Sequence, residues 1–289
     1  MRPQRPLELL ITSLLFNPEL AQALHERPDE LRASFKLTSE ELSWLLAIDP
    51  RRWRADLERP HRALEGLLLH LPVSVALNTL NGGSAAAYLG FFKSPQLRES
   101  LEERALLAEG FCAWLRAQSA TPWPPIRVAL SSLELAIAQL NSEERRPEVI
   151  GALSGPERLD LSPRVRLVRA PHGTLELYSE LSRALHSLEP LAALSRPRLA
   201  ELSEVLERHE SATQSAQADA ETPTIIAQLS RGEVALSEAP QALAELLWGA
   251  REGLTYSGSL ELLASYELEP SEAHELLIEL QSEDLISLS

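Results

Sequence analysis

The segment "SPRVRLVRAPHGTLELYSEL", residues 162–181, interrupts a chain that otherwise reads as helices. Val165 and Leu167 point to one side of an extended run, with Arg164 and Arg166 on the other. After Ala-Pro-His-Gly, Thr174, Glu176 and Tyr178 alternate with Leu175 and Leu177. Alternation with period two on both sides of a turn predicts a β-hairpin. An isolated hairpin is marginal in water, so these strands need a larger sheet.

A second hairpin is expected in "TIIAQLSRGEVALSEA". The strands fall near 224–229 and 233–237, with the turn at Ser230-Arg231-Gly232-Glu233. Helices surround both hairpins. Asn17-Pro18, Asp49-Pro50 and Ser94-Pro95 each set a capping side chain before a proline at the first helical position. Thr38-Ser39-Glu40-Glu41 is a capping box. These signals place helices near 6–16, 18–26, 29–35, 39–47, 50–70, 84–91, 95–118 and 125–140, with Pro60 kinking or dividing the long one. Further helices are expected near 179–187, 196–209, 240–250, 257–265 and 271–282, with a closing strand at 285–288.

The polar stretch "NSEERRPEVIGALSGPERLD" (141–160) reads as a passage between domains, and "HESATQSAQADAETP" (209–223) as a flexible loop. The expected architecture is mainly α with a smaller α/β part. A helical domain at 1–145 precedes an α/β winged-helix-like domain at 160–289 that holds two β-hairpins.

Composition narrows the function. The 289 residues carry 42 acidic and 27 basic side chains, a formal charge of −15. Such a field repels nucleic acid and anionic membrane surfaces. From 251 to 289 nine acidic residues face one basic residue, Arg251, and the helix "SEAHELLIELQ" carries Glu272, Glu275 and Glu279 without Lys or Arg. A recognition helix of that charge is unsuited to DNA. The lone Cys112 excludes a disulfide within the chain and suits a reducing cytoplasm. "RPLELLITSLLF" reads as an amphipathic helix, because Glu8 breaks the apolar run.

No catalytic arrangement emerges from the spacing. The seven histidines include no pair spaced i, i+4, and His209-Glu210 reads as a solvated pair. Gly82-Gly83 is followed by Ser84 and three alanines rather than the Lys and hydroxyl residue of a phosphate loop, so it reads as a helix stop with Asn81 or Ser84 capping the next helix. The chain is expected not to be an enzyme, with no metal ligands of its own.

What remains is the open sheet, whose edge can take a peptide as an additional strand. Arg164, Arg166 and Arg169 could then pair with an acidic peptide, or remain solvated charges. Val168 and Ile226 stand on the strands, Tyr178 follows them, and Leu276, Leu277 and Leu280 could supply an apolar groove.

The stretches "LLLHLPVSVAL" (67–77), "YLGFFKSPQLRESLEERALLAEGFCAWL" (88–115) and "LSSLELAIAQL" (130–140) carry a family resemblance, as do "VRLVRAPHGTLELYSEL" (165–181) and "LLWGAREGLTYSGSLELLASYELEPSEAHELLIELQSEDLISL" (246–288). In layout the chain resembles the MbnC-type partner proteins of multinuclear non-haem iron-dependent oxidases. The resemblance implies a non-catalytic subunit that binds a ribosomal precursor peptide, Cys-containing in many such systems, and forms a heterodimer with a TIM-barrel oxidase. The iron would belong to that partner. The helical half then becomes the docking surface, with Leu71, Val73, Tyr88, Phe91 and Phe92 as its candidate residues. Neighbouring rings at 91 and 92 cannot face one way on a helix, which leaves one exposed unless both pack in the core. The alternative function is a regulatory protein whose acidic winged helix makes protein contacts.

Overall fold

The computed structural model describes residues 6–53, 55–56, 58–119, 121–143, 158–186, 196–216, 223–230 and 232–288. The chain is mainly helical with a small antiparallel sheet part. It divides into two compact units, 1–123 with 187–199, and 124–186 with 200–289.

The first unit contains α1 (Pro6–Phe16), α2 (Pro18–Glu26), α3 (Pro28–Phe35), α4 (Ser39–Leu46), α5 (Pro50–Trp53), α6 (Arg59–His70), α7 (Pro72–Leu80) and α8 (Ala85–Tyr88). A 3-10 segment, Leu89–Lys93, then leads to α9 (Pro95–Glu103) and α10 (Leu107–Gln118). The caps operate as their residues suggest. Asn17 accepts from the Glu19 and Leu20 amides, Ser94 from Leu97, and Ser84 from Ala87. Thr38 and Glu41 bond reciprocally. Pro60 stands in the first turn of α6, so of the two expected outcomes it divides the 50–70 stretch, by starting a new helix, rather than kinking it.

Two readings of this unit change. A helix forms over Pro72–Leu80 where none was expected, and it is buried all round at Val73, Val75, Ala76 and Leu77. A helix without a polar face gives no periodic signal. The expected helix 95–118 is broken at Arg104, whose φ of 54° is left-handed.

Among the described residues, no single helix is long and apolar enough to cross a membrane. α6 and α7 meet at 98°, and their apolar residues Leu67, Leu68, Leu71, Val73 and Leu77 are core.

The second unit opens with α11 (Pro125–Glu143), which sequence had assigned to the first domain. β1 (Leu159–Leu161), β2 (Val165–Arg169), α12 (Thr174–His186) and α13 (Arg196–Ala216) follow. Then come β3 (Thr224–Ser230), β4 (Glu233–Ala239), α14 (Gln241–Glu252), α15 (Tyr256–Ser265), α16 (Pro270–Ser282) and β5 (Ile286–Leu288). The passage at 144–157 lies outside the described residues, as do 217–222 of the expected loop.

The first hairpin does not exist. Residues 174–178 start α12, whose buried Thr174, Leu177, Leu181 and Leu185 follow helical spacing. Five residues of alternation lose to thirteen of helical period. Similarly, α13 runs on to Ala216 where a loop was expected from 209.

β2, β3 and β4 form one antiparallel sheet with β3 central, and β1 pairs with β5 in another. The second hairpin is as expected: Ser230 pairs with Glu233 across a reversal in which Gly232 adopts φ 83°.

The three-stranded sheet is covered on both faces. Val168 of β2 and Ile225, Ala227 and Leu229 of β3 meet Ala129, Leu133, Ala136 and Leu140 of α11. On the opposite face Val165, Leu167 and Ile226 share a core with Leu246, Leu247 and Ala250 of α14 and with Leu277 of α16. At the end of α14, Gly253 turns with φ 87°, and Arg158 bonds the Glu252 and Gly253 carbonyls. Arg158 also bridges to Thr255, at the start of α15.

Candidate functional site

The open edges of the three-stranded sheet follow from its register. The Leu229 amide donates to the Arg164 carbonyl, and the Ala170 amide to the Pro223 carbonyl. Because backbone groups alternate along a strand, residues 223, 225, 227 and 229 of the chain point toward β2, and 224, 226, 228 and 230 toward β4. On β2, Arg166 and Val168 therefore face β3, while Val165, Leu167 and Arg169 face outward. On β4, with Thr224 opposite Ala239 and Ile226 opposite Ser237, the outward positions are Val234, Leu236 and Glu238.

These two edges differ physically. β2 is closed over part of its length. The Val165 amide donates to Ser162, the Val165 carbonyl accepts from Arg166 Nη1 at 2.7 Å, and Leu167 is only 8% exposed. β4 is half-buried or exposed throughout, and Val234 and Leu236 lean against the core under α11 and α12. Among the described residues, no hydrogen bond reaches the outward amides and carbonyls of Val234, Leu236 and Glu238. Among the described residues, then, β4 is open along its whole outer edge, whereas β2 is open only at Leu167 and Arg169.

A cavity of about 550 Å3 opens beside the far end of β4, lined by Ala239, Thr224, Arg169, His172, Glu245 and Trp248. Trp248 donates from Nε1 to Thr224 Oγ1 at 3.1 Å. The guanidinium groups of Arg169 and Arg251 lie 4.9 Å and 5.1 Å from the Trp248 ring centroid. Cations over an indole face are attracted by its quadrupole, so both arginines are held in place.

The residues expected to bind a peptide do not form one surface. Arg164 stands in the turn before β2 and pairs with Asp284 at 3.3 Å. Arg166 folds back to the Pro163 and Val165 carbonyls of its own chain. Arg169 projects from the sheet face opposite to Arg166 and rests on Trp248. The basic face expected from the three arginines is thus absent. Val168 and Ile226 are core residues on opposite faces of the sheet. Tyr178 belongs to α12 rather than to a strand. Burial pushes its phenol well above the ordinary value of 10.0, the nearby charge of Glu134 adds to this, and a hydrogen bond with Ser182 partly offsets it. Leu280 and Leu277 are buried and Leu276 packs on them, so the expected groove on α16 is filled from within.

The docking residues are also core. Leu71, Val73, Tyr88, Phe91 and Phe92 are all buried, none more than 3% exposed. Phe92 stacks on Phe16 at 5.1 Å, and Phe91 meets Phe111 edge-on at 5.2 Å. Tyr88 donates to the Val75 carbonyl and shares a hydrogen bond with Thr79. Both rings of the aromatic pair are accommodated because residues 89–93 are 3-10 rather than α, and neighbours on both sides supply core. As exposed anchors for a partner these five positions are ruled out.

β4 is not among the site residues expected from sequence, although "EVALSEA" (233–239) carries the signal of an unguarded edge. It alternates, and it has neither lysine nor proline. Glu210 also differs from its expected place. That carboxylate pairs with Arg127 rather than standing in solvent with His209, which instead approaches Glu180 at 3.4 Å. Among the described residues no cluster of three metal-ligating side chains occurs. No family model matches the chain, and a search of the curated proteins finds no relative.

Proposed function

We propose that this chain is a non-catalytic subunit that takes up a ribosomally made precursor peptide as an added strand and presents it to an iron-dependent oxidase. The observation that carries this reading is the unpaired edge of β4. It offers the backbone groups of Val234, Leu236 and Glu238 in extended geometry on a sheet packed on both faces. A peptide pairing there would make about six backbone hydrogen bonds, worth roughly 6 kcal/mol net before ordering costs. Ordering a flexible peptide consumes much of that, so side chains must add to it. Alternate side chains of the new strand would extend the core that Val234 and Leu236 border.

The remaining architecture agrees with a recognition module. α14, α15 and α16 stand with the short β1–β5 pair and the Arg158–Thr255 bridge, and on this reading they would serve as the helices and short strands of a winged-helix-like unit. The layout that resembles MbnC-type partner proteins suggests a multinuclear non-haem iron oxidase as the second subunit, with the iron held there. Tethering then raises the local concentration of the peptide at the oxidase, which accelerates modification without a new contact to the reacting residue.

The test is co-expression with a multinuclear non-haem iron-dependent oxidase and its precursor peptide, followed by size exclusion and iron analysis. The expected result is a co-eluting, iron-loaded heterodimer that retains the precursor peptide. If the chain elutes alone and the oxidase loads iron and modifies the peptide unaided, the reading is wrong.

A second reading has one observation of its own. Ile278 is 53% exposed on α16, among the exposed Glu272, Glu275 and Glu279. An isolated apolar side chain framed by acid suits a protein contact by a regulator, and Ile278→Ser in pull-downs would test it.

A further inference from the structure

The free edge has a charge, and it is opposite in sense to the acidic peptide that the arginines suggested. Glu233 and Glu238 stand at the two ends of β4, both exposed. They are separated by an odd number of residues, so their side chains project from opposite faces of the sheet. Among the described residues, neither carboxylate has a cationic partner. Arg231 lies outside those residues. Every described arginine near the sheet is engaged elsewhere: Arg164 with Asp284, Arg166 with its own strand, and Arg169 over Trp248. α12, packed beside β4, contributes Glu176 and Glu180 against Arg183. Beyond these, the whole chain carries −15.

We propose that the segment added to β4 is a basic strand. It carries Lys or Arg at two positions with the same odd spacing as Glu233 and Glu238, around an alternating apolar middle. This rests on the strand-addition reading above and specifies its ligand. A cation opposite each carboxylate is favourable as a cross-strand pair, whereas an acidic strand would set like charges side by side. The middle of the strand meets Val234 and Leu236 on one face and Ala235 and Ser237 on the other, so it needs no charge there. A second copy of this chain is the other conceivable occupant. It would bring another −15 to the same edge, and β4 has no cation to offer in return.

The test uses two synthetic hexapeptides, Ac-Lys-Val-Thr-Val-Thr-Lys-NH2 and its Glu counterpart, titrated into the full-length 15N-labelled protein at low salt. The Lys peptide is expected to shift the amides of Val234, Leu236 and Glu238 and to bind about tenfold more tightly than the Glu peptide. The gap should narrow at high salt. In the double variant Glu233→Gln, Glu238→Gln the two peptides should bind alike. Equal binding to the wild type, or preference for the Glu peptide, would overturn the charge assignment and leave strand addition standing. No shift along β4 with either peptide would overturn strand addition, and this proposal with it. A concentration-dependent dimer that protects β4 amides and excludes the Lys peptide would assign the edge to a second copy instead.

Discussion

Arg127 of α11 and Glu210 of α13 form a two-point ion pair, Nε to Oε1 at 2.6 Å and Nη2 to Oε2 at 3.2 Å, with 15% and 18% of the side chains exposed. The paired geometry matches a planar guanidinium to a carboxylate, which a lysine cannot reproduce. It fixes the later turns of α13 against the helix that covers the sheet.

Removing one partner leaves a largely buried charge unpaired. Arg127→Met is expected to lower stability by about 2 kcal/mol, less than for a fully buried pair. Urea denaturation of Arg127→Met, Glu210→Gln and the double variant would check it. The double variant should cost less than the sum of the two singles. Strict additivity would mean that the pair contributes only as separate charges.

The aromatic cluster of the first unit makes a sharper prediction. Phe91 is fully buried between Phe92, Phe111 and Trp114. Phe91→Ala should cost about 3–5 kcal/mol. Thermal unfolding by circular dichroism should show this without any partner present. A variant with unchanged stability and lost partner binding would instead restore Phe91 as an interface residue.

Two prolines separate the interior of the sheet from its edge. At Val168 the amide faces β3, so Val168→Pro removes a ladder bond inside the sheet and should destabilise it by about 3 kcal/mol. At Glu238 the amide faces outward, so Glu238→Pro should leave the fold intact and weaken peptide capture. Glu238→Gln controls for charge. Circular dichroism with peptide titration reads both. Undiminished capture by a folded Glu238→Pro would remove β4 as the docking edge.

Tyr178 predicts a pH dependence. Its phenol is raised above 10.0 in the fold, by burial first, so the unfolded chain releases that proton at lower pH than the folded chain does. The stability it contributes is complete below pH 10 and declines as pH rises beyond it. Urea midpoints at pH 8 and pH 11 should fall more in the wild type than in Tyr178→Phe. Equal falls would assign the alkaline loss to other groups, among them Tyr88, whose pKa burial also raises.

The parts of this fold that sequence conveyed are those decided within one turn of chain. The caps at Asn17, Thr38 and Ser94 depend on side chains two or three residues from the amides they satisfy. The β3–β4 hairpin depends on Gly232 and its flanks. The errors occur where a longer range decides. Thr174–Tyr178 alternates, and only Leu181 and Leu185 beyond it reveal the helix. α7 is apolar on every side because neighbours enclose it, which no period records. At the candidate site, the two residue patterns that mark an edge strand were readable in "EVALSEA". That Ser162 and Arg166 close β2 at Val165 was not, because backbone direction decides which bonds those residues complete.

The pairing of Leu159 with Leu288 has a consequence in time. The β3–β4 hairpin closes across a tight local turn, whereas β1 and β5 lie far apart in the chain, with β2 through α16 between them, and their pairing closes a much longer loop. Folding of that unit is therefore ordered. The β3–β4 hairpin with its open β4 edge forms early, and the β1–β5 strands close over α14 and α16 late. During that interval the β4 edge is already exposed, and Glu233 and Glu238 on it disfavour pairing with the equally acidic edge of another copy.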